Sequence, residues 1–148
     1  MGARNAVQVE RVGDKERRGS NAPRRQSAVG DSLTLTLLNK LSRVKRTLES
    51  KHALTFFGAF QRDGSQWWDV LVGGAWIEKD EEAALKEIAK TLNRHLNRKD
   101  IVQVSHIAVV NPDLPEWKAF RVKGSGRVSM HNRVINGMQI REAHVWGV

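Results

Sequence analysis

Apolar residues first recur at spacings of four, four, three and four, from Leu33 through Leu37, Leu41 and Val44 to Leu48. That is the period of a helix with one buried face, and Asp31 or Ser32 can cap it, so a helix is predicted over 31–50. From Ala53 to Gly74 the period changes. Two runs rich in aromatic and β-branched residues flank the break at Asp63-Gly64, the signature of a β-hairpin. Leu54, Phe56 and Phe60 oppose Phe57 and Ala59 on one arm, and Trp67 and Leu71 oppose Trp68, Val70 and Val72 on the other. A ribbon apolar on both sides belongs mid-sheet, covered on both faces.

A second helical stripe, Leu85, Ile88, Ala89, Leu92 and Leu96, follows Asp80 and predicts a helix from Asp80 to about Asn97. Asp80, Glu81 and Glu82 at its start and Arg94, His95 and Arg98 at its end match the helix dipole. Ile101–Val110 reads as a strand with Val102, Val104, His106, Ala108 and Val110 on one face. Strand, helix and strand form a β-α-β unit whose strands should run parallel. Asn111-Pro112-Asp113-Leu114-Pro115 starts a short helix carrying Trp117, Phe120 and Arg121, with Asp113 as its cap. A last hairpin runs from Arg127 to Trp146 around Asn136-Gly137, a type I′ turn. The expected fold is α+β: one layered sandwich with a mixed, mostly antiparallel five-stranded sheet, in the order α-β-β-α-β-short α-β-β.

Residues 1–30 hold no Leu, Ile or aromatic residue, and Gly, Ser, Asn and Pro punctuate their arginines. They are expected to form a disordered basic tail ahead of a single domain at 31–148. Over the 148 residues the net charge is +9, shared between tail and domain rather than gathered in one block. A diffuse positive field favours weak, salt-sensitive contact with polyanions and specifies nothing. With no cysteine there is no disulfide framework and no thiolate chemistry. No apolar run is long enough to span a bilayer, and a cytoplasmic, membrane-free protein is expected.

Candidate chemistry is sparse. Lys40, Arg43, Lys45 and Arg46 give the first helix a basic face that could grip phosphates, though no aromatic residue interleaves with them to stack bases. Gly73-Gly74 lies between a strand and a helix but completes no phosphate-binding motif, so its expected role is to let Trp76 turn across the sheet end. His106 is expected in the core with a hydrogen-bonded ring, and Asp69, a carboxylate between Trp68 and Val70, is expected to pair with an arginine.

The densest cluster comes from the last hairpin. A two-residue loop at Asn136-Gly137 pairs Ile135 with Met138, Arg133 with Ile140, His131 with Glu142, Ser129 with His144 and Arg127 with Trp146, and strict alternation puts all ten on one face. His131, Glu142, His144 and Ser129 are therefore the catalytic candidates, because a carboxylate can fix an imidazole's tautomer for acid–base chemistry. Two histidines and a carboxylate also form a conceivable metal set, but no metal or other cofactor is assigned.

Three functions fit these residues. Five tryptophans in a chain without a chemical motif favour a non-catalytic protein-interaction domain, with a protein partner or self-association and no enzymatic activity. The basic helix favours a nucleic-acid-associated protein. The hairpin cluster favours a small hydrolase or isomerase.

Overall fold

The computed structural model describes residues 7–11 and 35–148. Its elements are β1 (Val7–Arg11), α1 (Leu35–Glu49), β2 (Phe56–Arg62), β3 (Trp68–Gly73), α2 (Ala75–Lys79), α3 (Glu81–His95), α4 (Arg98–Ile101), β4 (Val104–Val109), α5 (Pro115–Lys118), β5 (Arg127–Ile135) and β6 (Met138–Trp146). The strands form one mixed sheet in the order β1-β4-β3-β2-β6-β5. Only β3 and β4 run parallel, joined through α3 as the β-α-β pattern predicts. The five strands expected are present in the expected order. A sixth, β1, pairs antiparallel with β4. It is the described part of the stretch expected to lack structure: its alternating VQVER pattern supplies a ladder for an edge of β4 that would otherwise be bare. The rest of residues 1–30, and the proposed caps Asp31 and Ser32, lie outside the described residues.

The β2–β3 hairpin sits inside the sheet and is buried on both faces. On one face Phe57, Ala59, Trp68, Val70 and Val72 meet Leu37, Leu41, Val44 and Leu48 of α1 and Leu85, Ile88 and Leu92 of α3. On the other, Phe56, Phe60, Leu71, Ala108 and Val110 meet Trp117, Phe120, Ile135 and Ile140. Helices thus cover the first face, while the second is closed by the α5 segment and the tip of the last hairpin.

Three local expectations are corrected. Ile101 and Val102 leave the strand, because Asn97 and Asp100 form a reciprocal capping box that starts α4 after α3 ends. A bulge then pairs Trp68 with Val104 but Asp69 with His106, which separates Val104 from His106. Val104 joins the helix-side core with Ile107 and Val109, whereas Ala108 and Val110 join the opposite one. Asp113 does not cap α5. Leu114 holds that position without a side-chain bond and Pro115 supplies the first turn.

The register of the last hairpin follows the two-residue turn throughout, from Ile135↔Met138 to Arg127↔Trp146. Its side chains do not all share a face, however. Pairing with β2 slips between Gln61 and Arg62, so that Gln61 faces Glu142 while Arg62 faces Ile140, and Asn132 adopts φ 54°. Beyond this kink Ile135, Met138 and Ile140 pack into the second core, while Trp146 packs in the helix-side core. Ala143 and Val145 are core residues as expected, but Val128 and Val134, on the outermost strand, are exposed.

Candidate functional site

The kink leaves Arg127, Ser129, Glu142, His144 and Trp146 as one group at the helix-facing side of β5 and β6. Glu142 and His144 are both 5% exposed, whereas Ser129 and Arg127 are exposed. His144 Nε2 lies 2.7 Å from Glu142 Oε2, and His144 Nδ1 lies 3.0 Å from Ser129 Oγ. Arg127 Nη1 reaches the same Nδ1 at 3.1 Å and Ser129 Oγ at 3.4 Å. A guanidinium only donates, so Nδ1 must carry a lone pair, and the ring proton belongs on Nε2, where it is donated to Glu142.

Burial lowers the His144 pKa from its ordinary value of 6.5 and outweighs the hydrogen bond and charge of Glu142, which raise it; Arg127 and His131 add to the lowering. His144 is thus a neutral, oriented imidazole whose Nδ1 lone pair faces both the Ser129 hydroxyl and the Arg127 guanidinium. The Trp68 ring lies 5.7 Å from its ring, and Arg127 lies over Trp146 at 6.0 Å. Trp146 Nε1 in turn donates to Ser42 Oγ on α1 at 2.8 Å, which fixes this corner of the sheet to the helix layer.

Of the four candidates, Ser129, Glu142 and His144 are brought together in series. His131 stands opposite Glu142 but is exposed and bears on His144 through its charge alone. No group of three or more His, Asp or Glu that could hold a metal ion occurs among the described residues.

The basic face of α1 is partly neutralised. Lys40 Nζ lies 2.6 Å from Asp100 Oδ2 and Lys45 Nζ lies 3.1 Å from Glu49 Oε1, while Arg43 and Arg46 are exposed. The tryptophans are mostly core: Trp68, Trp117 and Trp146 are buried, and Trp67 and Trp76 are half-buried. Trp76 stacks on His52 at 3.8 Å, and His52 meets Glu87 at 3.1 Å.

A second polar group, on the opposite face, joins Asp69 and His106, which the sequence singles out separately. Arg62 Nε lies 3.2 Å from Asp69 Oδ2, the arginine pair expected, and His106 Nδ1 lies 3.3 Å from Asp69 Oδ1 and 3.0 Å from Ser105 Oγ. Burial raises the Asp69 pKa from 3.8, against the lowering by Arg62 and His106. The His106 ring is hydrogen-bonded as expected, yet it lines a cavity rather than solid core.

No protein-family model, curated protein or solved structure matches the chain. No helix among the described residues is long and apolar enough to cross a membrane.

Proposed function

We propose that the protein is a small hydrolase of the acyl-transfer class, with Ser129 as nucleophile, His144 as general base and Glu142 as the group that orients it. The observation that carries this reading is the unbroken series Ser129 Oγ, His144, Glu142, with an exposed hydroxyl at one end and a buried carboxylate at the other. Such series are recognised by geometry and role rather than by chain order. Ser129 Oγ attacks the carbonyl carbon of an ester while its proton passes to His144 Nδ1. The imidazolium, held against Glu142, returns that proton to the departing alcohol. Water then cleaves the acyl-serine by the same route and restores Ser129. Arg127, 3.4 Å from Ser129 Oγ, places a positive charge beside the carbonyl under attack.

The test is labelling by a fluorophosphonate probe with peptide mapping, alongside turnover of 4-nitrophenyl acetate. Ser129 should carry the label, Ser129→Ala should lose it, and His144→Gln should slow turnover at least about a hundredfold. Absence of label on Ser129 in folded protein would end this reading.

The interaction reading retains one specific observation. Every residue of β5 except Ile135 is exposed or half-buried, and the sequence holds no Asp or Glu between Glu116 and Glu142. Arg127 and Arg133 disfavour pairing of β5 with a second copy, so an acidic extended segment is the partner that fits this edge. A glutamate-rich strand-forming peptide should slow amide exchange in β5, and unchanged exchange at saturating peptide would count against it.

A further inference from the structure

Lys40 and Thr47 on α1, and His52 just past its end, meet Asp100, His95 and Glu87 at 2.6, 3.0 and 3.1 Å. Rising numbers on one side meet falling numbers on the other, so α1 and α3 lie side by side and antiparallel. Residues 35–48, which hold no Asp or Glu, therefore lie along the end of α3 and the start of α4, where cations again outnumber acids. Arg43 stands one turn before Thr47, and Arg46 directly before it. Across the seam Arg94 directly precedes His95, and Lys90 stands one turn before Arg94. Arg98 and Lys99 continue the series on α4, beside the Asp100 that holds Lys40.

All six of these cations are exposed, and none has an ion pair or side-chain hydrogen bond among the described residues. The nearby acids are already taken: Glu49 by Lys45, Glu87 by His52 and Lys51, and Asp100 by Lys40. Glu81 and Glu82 lie in the first turn of α3, at the far end of the seam. Like charges gathered in this way repel one another, and a ligand carrying a row of negative charges would relieve that repulsion.

The surroundings select among polyanions. No aromatic residue among those described is exposed, so the surface offers no ring on which unstacked bases could lie. Leu35 and Val102, the exposed large apolar residues of the helix layer, stand at the Lys40–Asp100 end of the seam, outside the row of cations, and leave little to enter a lipid layer. Four of the six cations are arginines, whose planar fork matches phosphate oxygens. A duplex fits best, because it keeps its bases stacked inside and presents closely spaced phosphates.

We propose that the seam between α1 and α3 is a binding surface for the phosphate backbone of a nucleic-acid duplex, without base specificity. Arg43, Arg46, Lys90, Arg94, Arg98 and Lys99 make the contacts. None of them belongs to the Ser129 series, so the surface stands or falls independently of the hydrolase reading.

Fluorescence anisotropy of a labelled duplex of about 20 base pairs, titrated with full-length protein, is the test. In about 50 mM salt the duplex should bind in the micromolar range, and between about 50 and 200 mM it should weaken about a hundredfold, the dependence expected of about four phosphate contacts. Arg43→Gln/Arg94→Gln, which removes two exposed cations, should weaken binding at least about tenfold and lower the salt slope by about 2. Lys118→Gln/Lys123→Gln removes the same charge from exposed positions in and after α5, and should change affinity less than about twofold. DNA and RNA duplexes of one sequence are compared, and the tighter binder names the source. The proposal is overturned by absence of binding at the lower salt or by equal weakening in the two double variants. Tighter binding of a single strand of the same length, or of phosphatidylserine vesicles, overturns it as well.

Discussion

His144 has a consequence for stability as well as for chemistry. In the unfolded chain a histidine titrates near 6.5, and in the fold this one titrates lower because it is buried. Between those two values the unfolded chain binds a proton that the folded one does not, so stability falls as pH drops below about 6.5 and is insensitive to this group above it. Melting temperatures between pH 7.5 and 5 should fall more steeply for wild type than for His144→Gln. Turnover at Ser129 should likewise lose rate on the acid side with an inflection below 6.5, since only the neutral ring accepts the proton. Asp69 acts in the opposite sense: its raised pKa makes the fold bind a proton just above pH 3.8 that the unfolded chain has lost, so that contribution fades as pH rises. Backbone constraints are equally local. A Cβ at Gly73 would lie 2.6 Å from the Val110 carbonyl oxygen, so Gly73→Ala should cost about 1–3 kcal/mol in denaturant unfolding. The glycine pair thus serves close strand approach as well as the turn into α2. At Asn132, where φ is 54°, replacement by valine should cost about 1–2 kcal/mol and replacement by glycine should be tolerated.

Elements were legible wherever one strong local signal set them. Asn136-Gly137 fixed the β5–β6 register, which is why Ser129 and His144 could be paired on paper. Leu37, Leu41, Val44 and Leu48 of α1 and Leu85, Ile88 and Leu92 of α3 are buried as expected, Ala89 is half-buried, and Leu33 lies outside the described residues. What escaped were features set by two neighbours at once. The slip opposite Arg62 and the bulge before His106 arise from the fit of one strand against another, and no residue announces either. The cap that ends one helix and begins the next was readable in hindsight as Asn97 and Asp100, three apart, but it lay inside an apparently continuous helical pattern. Asp100 serves twice, capping α4 and holding Lys40. Asp100→Ala should therefore lower stability by about 1–2 kcal/mol, more than Asp113→Ala, whose contact with Arg121 is exposed. Ile88→Ala, on α3 and fully buried, should cost about 2–5 kcal/mol by chemical denaturation.

At the scale of the molecule, the doubly apolar β2–β3 ribbon predicted its own central place, and two cores formed around it. The cavity was not legible, because Phe60, Asp69 and His106 become neighbours only through the register of three strands, two of them joined through a long crossover. Amide exchange should be slowest in β2 and β3 and fastest in β5, whose outer edge has no strand beside it among the described residues. The placement of β6 between β2 and β5 also governs how the molecule is born. On a ribosome adding about 5–20 residues per second, β2 and β3 emerge seconds before the strand that must lie against the other side of β2. For that interval an aromatic-rich edge stands open to any passing chain. A nascent-chain holdase that shields Phe56 to Phe60 would determine how much newly made protein reaches the finished sheet.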